Sequence, residues 1–140
     1  MKILLIGHKG WIGQQVRDIL NHQSISCLTK EGLRVDDVES VQNVLEKLQP
    51  THVISVIGRT HGKIDQDIYS TIDYLEQPGK LVENVRDNLF APMVLAQLCQ
   101  HKGIHLTYLG TGCIFKFDEE HPYGEERNGF TENSLPNFFS

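Results

Sequence analysis

The sequence has 140 residues, 39% of them hydrophobic, and carries a formal net charge of −5 at pH 7. This length predicts one domain with one core. The lysines and arginines are scattered and leave no basic stripe, which argues against nucleic acid and membrane-surface partners.

No apolar run reaches the ~20 residues of a membrane span. Met1 and Lys2 lead directly into a strand without the layout of a signal peptide, so we expect a cytoplasmic protein.

The most informative stretch is an apolar strand over residues 2–6 that runs into glycines spaced three apart. Gly7 would make the tight turn, Gly10 would let a pyrophosphate approach the backbone, and Gly13 would let the next helix pack closely. The alternative is a glycine-rich surface turn without a ligand. The pattern predicts a dinucleotide-phosphate site formed by Gly7, His8, Lys9, Gly10, Trp11, Ile12 and Gly13.

Apolar periodicity predicts two amphipathic helices in the first half of the chain. The first follows the glycines, with a buried face of Ile12, Val16, Ile19 and Leu20. After a strand over residues 24–29, Asp37 caps a second helix and Pro50 closes it. Its apolar face consists of Val38, Val41, Val44, Leu45 and Leu48.

The second half is predicted to contain a buried strand over residues 52–57, a loop over 59–79, a long helix over 80–102 and a strand over 104–109. The buried set expected for the long helix is Leu81, Val85, Leu89, Leu95 and Leu98.

Pro92 should kink the long helix, because it has no N–H for the carbonyl group of Asn88. That kink serves packing, or it frees the carbonyl to bind water near an active site.

The alternation of strands and helices predicts an α/β fold with a doubly wound parallel sheet, a Rossmann fold. Right-handed crossovers would bring residues 7–13, 58–62 and 110–117 together at the carboxyl ends of the strands. Residues 1–140 would form the nucleotide-binding domain, with 110–140 as its active-site and substrate loop region.

Two side chains at the end of the last predicted strand could take part in chemistry. Thr111 and Cys113 should face the nicotinamide edge of a dinucleotide bound at the glycine turn, where a hydroxyl and a thiol can act as acid or base. Each also has an ordinary structural alternative, since threonines cap turns and single cysteines fill cores.

The three cysteines, Cys27, Cys99 and Cys113, contain no Cys-x-x-Cys spacing, and no histidine pattern suggests a ligand set. Reduced thiols are therefore expected, and no metal site.

Five stretches of the chain resemble the extended short-chain dehydrogenase/reductases, and more narrowly the bifunctional 3,5-epimerase/4-reductases of nucleotide-rhamnose synthesis, the dTDP-4-dehydrorhamnose reductase-like enzymes. The first, Gly7 to Gly13, marks only the superfamily. The stretches are Gly-His-Lys-Gly-Trp-Ile-Gly (7–13), Val-Ile-Gly-Arg-Thr-His-Gly (56–62), Asn-Val-Arg-Asp-Asn-Leu (84–89), Leu-Gly-Thr-Gly-Cys-Ile-Phe (109–115), and Gly-Phe-Thr-Glu-Asn (129–133) with Pro-Asn-Phe-Phe (136–139).

This resemblance implies an enzyme that epimerises a nucleotide-linked 4-keto-6-deoxyglucose at C3 and C5 and then reduces C4 with hydride from NADPH. It implies that Thr111 hydrogen-bonds the C4 carbonyl and that Cys113 is the acid/base for epimerisation. A ketone acidifies the neighbouring C–H bonds, so a thiol or thiolate can exchange those protons. The partner is a nucleotide-sugar, with UDP, dTDP and GDP left open.

The resemblance also implies that Asp36 meets the adenine amino group and that Gly58 and Arg59 line the ribose and nicotinamide side, with Asn88 in the same site. Asp36 has helix capping as its alternative. The second strand ends at Lys30 and not at an acidic residue, so Lys30 could pair with the 2′-phosphate of NADPH, which favours NADPH over NADH.

Family members continue Pro-Asn-Phe-x-Gly-Ser-x-Tyr-Ser-x-x-Lys, and this sequence ends before the Tyr and the Lys. The resemblance therefore implies that the Rossmann fold is incomplete at its C-terminal end, and we expect a fragment or a natural truncation that is inactive alone. The alternative is a non-catalytic NADP(H)-binding or interaction module. Uncovered apolar faces would favour self-association, of which a homodimer is one form.

Overall fold

The computed structural model describes residues 1–110, 114–124 and 128–138. The chain divides into two compact units, Met1–Gly110 and Thr111–Ser140. The strands of the first unit are β1 (Lys2–Ile6), β2 (Ser26–Leu28), β3 (His52–Ser55), β4 (Gly62–Ile64), β5 (Asp67–Tyr69) and β6 (His105–Tyr108). Its helices are α1 (Trp11–His22), α2 (Val38–Leu48), α3 (Asp73–Glu76), α4 (Leu81–Val85) and α5 (Ala91–His101), with a π-helical segment (Arg86–Phe90) between the last two.

Four strands form a parallel sheet in the order β2-β1-β3-β6, which confirms the predicted doubly wound α/β fold. Leu4 lies opposite Leu28 on one side and Val53 on the other. The chain builds outward from β1 in both directions, so the order reverses between β1 and β3. Ligands of open α/β sheets bind outside the strand ends at such a reversal.

The main core lies on the face of the sheet that carries α2 and α5. Leu4 of β1 and Val53 of β3 pack there with Leu45 of α2 and Leu95 of α5, all almost completely buried. Burying a side chain of this size stabilises the fold by about 1.5–3 kcal/mol. This packing holds β1 and β3, the strands beside the reversal, in place.

Helix α2 begins and ends where the sequence predicts. The carboxylate of Asp37 accepts a hydrogen bond from the backbone N–H of Ser40 at 3.1 Å and another from its hydroxyl at 2.7 Å. Gln49 adopts the left-handed conformation (φ +46°), and Pro50 follows. Of the predicted apolar face, only Val38 is exposed.

The predicted buried face of α1 is half right. Leu20 is buried and Val16 is half-buried, whereas Ile12 and Ile19 are exposed. The close packing predicted at Gly13 is present, because its lack of a side chain lets the helix backbone approach Gly7 and His8 of the turn that follows β1.

The region over residues 59–79, predicted as a loop, instead contains the antiparallel β4–β5 hairpin and the single turn α3. Its strands have three residues each, too few for an alternating pattern to be recognised.

The predicted buried set of the long helix is also partly wrong. Leu95 is buried, but Leu81, Val85 and Leu89 are 71%, 45% and 55% exposed. The π-helical segment explains the difference, because its wider turn holds an extra residue and rotates the following face by about 100°. The face that packs on the sheet is made of Ala91, Val94, Leu95 and Cys99. Pro92 sits in the first turn of α5, directly after the π-helical segment, so the predicted irregularity is present there.

In the second unit, Asn137 links the segment near the end of the chain to the segment that contains Lys116 and Asp118. Its side chain accepts a hydrogen bond from the N–H of Lys116 at 2.9 Å and donates to the carbonyl of Lys116 at 3.0 Å and to Asp118 at 2.7 Å. The Phe130 ring stacks between Phe115 and His121. These contacts organise the described residues of this unit without a helix–strand framework.

Helices long and apolar enough to cross a membrane are absent from the described residues.

Candidate functional site

The turn between β1 and α1 requires glycine at two of its three glycine positions. Gly7 has φ +92°, and a Cβ atom there would press against the backbone of Val56 at 3.1 Å. A Cβ atom on Gly13 would lie 2.7 Å from the carbonyl carbon of Gly7. Both glycines are therefore demanded by the fold itself.

Gly10 differs from the other two. It has φ −70° and ψ 164°, which any residue can adopt, and the nearest atom to an added Cβ is the Gly7 carbonyl oxygen at 3.4 Å. The fold does not require glycine here, whereas an anion lying against the backbone would.

The start of α1 suits a phosphate. No side chain caps this helix, its first turn contains no acidic residue, and the helix N-terminus carries partial positive charge. The uncapped start of α1 and the absence of an acidic residue in its first turn are therefore suited to a pyrophosphate.

The other residues of the turn lie around this point. His8 is buried, while Trp11 and Ile12 are exposed. The ammonium group of Lys9 pairs with Glu31 at 3.0 Å, which ties the turn to the segment after β2 and lowers the pKa of Glu31.

A cleft of about 210 Å³ lies at the carboxyl-end side of the sheet. It brings together three predicted site residues, Asp36, Gly58 and Arg59. Lys30 does not line this cleft but a separate one, with Ser40. The walls of the first cleft are Leu33, Arg34, Val35, Asp36, Ile57, Gly58, Arg59, Asp87 and Ala91.

Asn88 holds the Gly58–Arg59 turn against the helix. Its side-chain oxygen accepts a hydrogen bond from the Arg59 N–H at 2.7 Å, and its side-chain nitrogen donates to the Arg59 carbonyl at 2.9 Å. The same nitrogen donates to Asn84 at 3.0 Å. Asn88 therefore shapes the cleft through the backbone of Arg59 and is not among the residues that line it.

Asp36 faces the cleft and does not cap α2, so the capping alternative is wrong; the neighbouring Asp37 is the cap. Arg34 binds Asp36 through two nitrogens, Nε at 2.9 Å and Nη2 at 2.7 Å.

Asp87 lies between three guanidinium groups. It contacts Arg86 at 2.7 Å, Arg59 at 3.3 Å and Arg34 at 3.7 Å. The hydrogen bond from Arg86 lowers the pKa of Asp87, opposed by partial burial, and the same pairing raises the pKa of Arg86. The carboxylate therefore stays ionised.

Arg59 also pairs with Glu83 at 3.2 Å. Although burial opposes ionisation of Glu83, hydrogen bonds from Tyr74 and Lys80 lower its pKa. The guanidinium of Arg59 is thus held by Glu83 and Asp87, both on the helical region above the cleft.

Sequence reasoning missed Arg34 and Asp87 as residues of the cleft. An arginine shortly after the second strand is a recognisable signal for a dinucleotide site. Asp87 lies in the stretch 84–89 that carries the family resemblance, but nothing in that stretch indicates its contacts with Arg34 and Arg59, which are distant in the sequence.

The predicted catalytic residues Thr111 and Cys113 lie outside the described residues. Across residues 1–110, 114–124 and 128–138, no group of three or more His, Cys, Asp or Glu side chains could hold a metal ion.

Comparison with known proteins identifies relatives for almost the whole chain. A family model described as the RmlD substrate binding domain matches residues 1–129. A UDP-rhamnose synthase from Acanthamoeba polyphaga mimivirus has a crystal structure that aligns with a TM-score of 0.76 at 51% identity, over 99% of this chain and 46% of that one.

Two further relatives are more distant. A bifunctional dTDP-4-dehydrorhamnose 3,5-epimerase/reductase from Arabidopsis thaliana is 34% identical over 96% of this chain and 41% of its own length. The structure of dTDP-4-dehydrorhamnose reductase from Bacillus anthracis in complex with NADP has a TM-score of 0.67 at 20% identity, over 85% of this chain and 39% of that one, and shows the fold alone. The chain spans less than half the length of these relatives.

Proposed function

The chain belongs to the family of the RmlD substrate binding domain, and from this we propose that it is the NADPH-binding part of an enzyme that makes a nucleotide-linked rhamnose. The observation that carries the proposal is Gly10, whose glycine the fold does not need but a bound pyrophosphate does. The relatives named for nucleotide-rhamnose synthesis, at 51% and 34% identity, support the substrate class.

The glycine turn with the start of α1 and the cleft beside it would bind different parts of the cofactor. The start of α1 would hold the pyrophosphate, and the cleft with Asp36, Gly58 and Arg59 would hold the adenosine end. Solved neighbours of this fold hold NAD or NADP. A bound nicotinamide cofactor would supply hydride for reduction at C4 of the sugar.

Thr111 and Cys113 are proposed as the reacting side chains. The Thr111 hydroxyl would donate a hydrogen bond to the C4 carbonyl oxygen, where both the enolate and the alkoxide place negative charge. The Cys113 thiol would exchange the protons at C3 and C5.

A chimera tests this function. Residues 1–140 would replace the matching part of the mimivirus UDP-rhamnose synthase, which aligns with 99% of this chain. We expect the chimera to oxidise NADPH in the presence of UDP- or dTDP-4-keto-6-deoxyglucose. We also expect the 140-residue polypeptide alone to bind NADPH without turnover, because the family's Tyr and Lys are not among these residues.

Variants of the chimera separate the two steps. Cys113→Ser should slow deuterium wash-in at C3 or C5 more than hydride transfer, whereas Thr111→Val should slow both. If Cys113→Ser still showed full deuterium wash-in at both C3 and C5, Cys113 would be a core residue and not the acid/base. An inactive chimera that still binds NADPH would favour a non-catalytic binding module.

A further inference from the structure

Two histidines lie side by side at the amino ends of β3 and β6. His52 and His105 are the first residues of their strands and are register partners in the parallel sheet. Register partners of neighbouring strands project from the same face of a sheet. The two imidazole rings have centroids 5.3 Å apart and are tilted by 47°. Because the glycine turn follows the carboxyl end of β1, this pair lies at the opposite edge of the sheet from the proposed dinucleotide site.

The hydroxyl group of Thr51 fixes the orientation of the His52 ring. Its oxygen accepts a hydrogen bond from the Lys2 N–H at 3.0 Å, donates one to the Lys2 carbonyl at 3.1 Å, and lies 2.9 Å from Nδ1 of His52. A hydroxyl group has one hydrogen, so with that hydrogen donated to Lys2 the contact with His52 requires a hydrogen on Nδ1. This tautomer leaves the lone pair of Nε2 free to bind a metal ion.

His105 supplies a second imidazole. Its side chain is exposed and takes part in no hydrogen bond or ion pair with the residues that the structure describes, while His52 is half-buried. Two imidazoles bound to one tetrahedral ion have ring centroids roughly 5 Å apart, because each ligating nitrogen lies about 2.0–2.1 Å from zinc. The two strands therefore hold these rings, with centroids 5.3 Å apart, at a spacing at which they can share one ion.

We propose that His52 and His105 form a two-histidine site for a divalent transition-metal ion, Zn²⁺ or Cu²⁺, which links β3 to β6. Imidazole is a ligand that suits both ions. The Thr51 hydroxyl is the outer-shell partner that metal-bound histidines have on their other ring nitrogen. Water fills the remaining positions of the ion, so the site binds more weakly than sites with three or four protein ligands. The proposal is independent of the proposed function.

Calorimetry of the 140-residue chain with Zn²⁺ alone and with Cu²⁺ alone tests the proposal. We expect both ions to bind, Cu²⁺ more tightly than Zn²⁺. His105→Gln should weaken both by roughly tenfold or more, because one of the two protein ligands is lost. Thr51→Val should weaken both by roughly 10- to 100-fold, the usual effect of losing an outer-shell partner, whereas Thr51→Ser keeps the hydroxyl group and should bind like wild type.

His61→Gln is the matched control. Nδ1 of His61 also contacts a threonine hydroxyl, that of Thr60 at 3.2 Å, but His61 follows the carboxyl end of β3, away from the pair. We expect this variant to bind both ions like wild type. Equal weakening by His61→Gln and His105→Gln would overturn the proposal, because the ions would then bind to exposed histidines in general.

Thermal unfolding tests the link between the two strands. An ion held by both strands binds the folded chain and not the unfolded one, so Zn²⁺ should raise the unfolding midpoint of wild type and of His61→Gln but not of His105→Gln. A wild-type chain that binds neither ion, or His105→Gln with wild-type metal affinity, would also overturn the proposal. NADPH affinity should be equal in wild type and His105→Gln, which separates failure of this proposal from failure of the proposed function.

Discussion

The carboxamide of Asn88 forms two hydrogen bonds with the backbone of Arg59, accepting from its N–H at 2.7 Å and donating to its carbonyl at 2.9 Å. A side chain in the helical region thereby holds the turn after β3 as a neighbouring strand would. The cleft depends on this contact, because Gly58 and Arg59 form one of its walls.

Asn88→Ala should therefore lower both stability and NADPH affinity. The loss of these partly buried hydrogen bonds should reduce the free energy of unfolding by about 1–3 kcal/mol. Urea unfolding and calorimetry measure the two effects. Asn84→Ala removes only the bond between the two asparagine side chains and serves as the control. Unchanged NADPH affinity in Asn88→Ala would show that the turn does not shape the site.

The glycines of the first turn should respond differently to substitution. Gly10→Val should abolish NADPH binding, and Gly10→Ala should weaken it with little change in the unfolding midpoint, because an added Cβ atom meets no atom closer than the Gly7 oxygen at 3.4 Å. Gly13→Ala should destabilise the fold, because its Cβ would overlap the Gly7 carbonyl group. Calorimetry and thermal unfolding of these variants measure the contrast. If Gly10→Val bound NADPH with wild-type affinity, the phosphate groups of the cofactor would not lie at this turn.

Asp87 should contribute a pH-dependent part of the stability. The Arg86 hydrogen bond lowers its pKa in the folded state below the value of about 3.9 expected for an unfolded chain. Its stabilisation is therefore fully present above about pH 4 and is lost as the pH falls through the folded pKa. The difference in unfolding free energy between wild type and Asp87→Asn should shrink below pH 4. The exposed Asp67→Asn is the control, and a difference that stays constant with pH would contradict the prediction.

The three cysteines should differ in their rates of alkylation. Burial raises the pKa of Cys99 to about 11, so that at pH 8 only about one molecule in a thousand carries this thiolate. Burial also raises the pKa of Cys27, opposed by Arg17. If Cys113 is an acid/base thiol, iodoacetamide should label it first, as followed by peptide mass spectrometry. Labelling of Cys113 as slow as that of Cys99 would indicate a core residue.

Local patterns in the sequence predicted the framework of the fold correctly. A run of apolar residues from Lys2 to Ile6 followed by glycines predicts a strand, a turn and a helix, and Asp37 predicts the start of α2 through its own side chain. These features depend on residues close together in the chain, so their physical causes can be read without the tertiary structure. The family resemblance rests on motifs of the same local kind.

Periodicity identified the buried face of α2, but in the long helical region the tertiary structure decided which apolar side chains are buried. Leu81, Val85 and Leu89 have helical spacing, but the π-helical segment changes the phase of the helix before α5 meets the sheet. Periodicity identifies a face and cannot say what it packs against. The hairpin β4–β5 was missed because strands of three residues are too short to show an alternating pattern in the sequence, and they are stabilised by pairing with each other.

The charged side of the cleft was likewise decided by the tertiary structure. Asp87 meets Arg34 and Arg59 only because the helical region lies beside the segments that follow β2 and β3, bringing together residues that are 53 and 28 positions apart in the sequence. An ion pair forms only between groups that are close in space, and the crossover connections of the doubly wound sheet bring these groups close together. The sequence by itself therefore determined the glycine turn and the order of the main elements, whereas the folded structure determined which charges face the cleft.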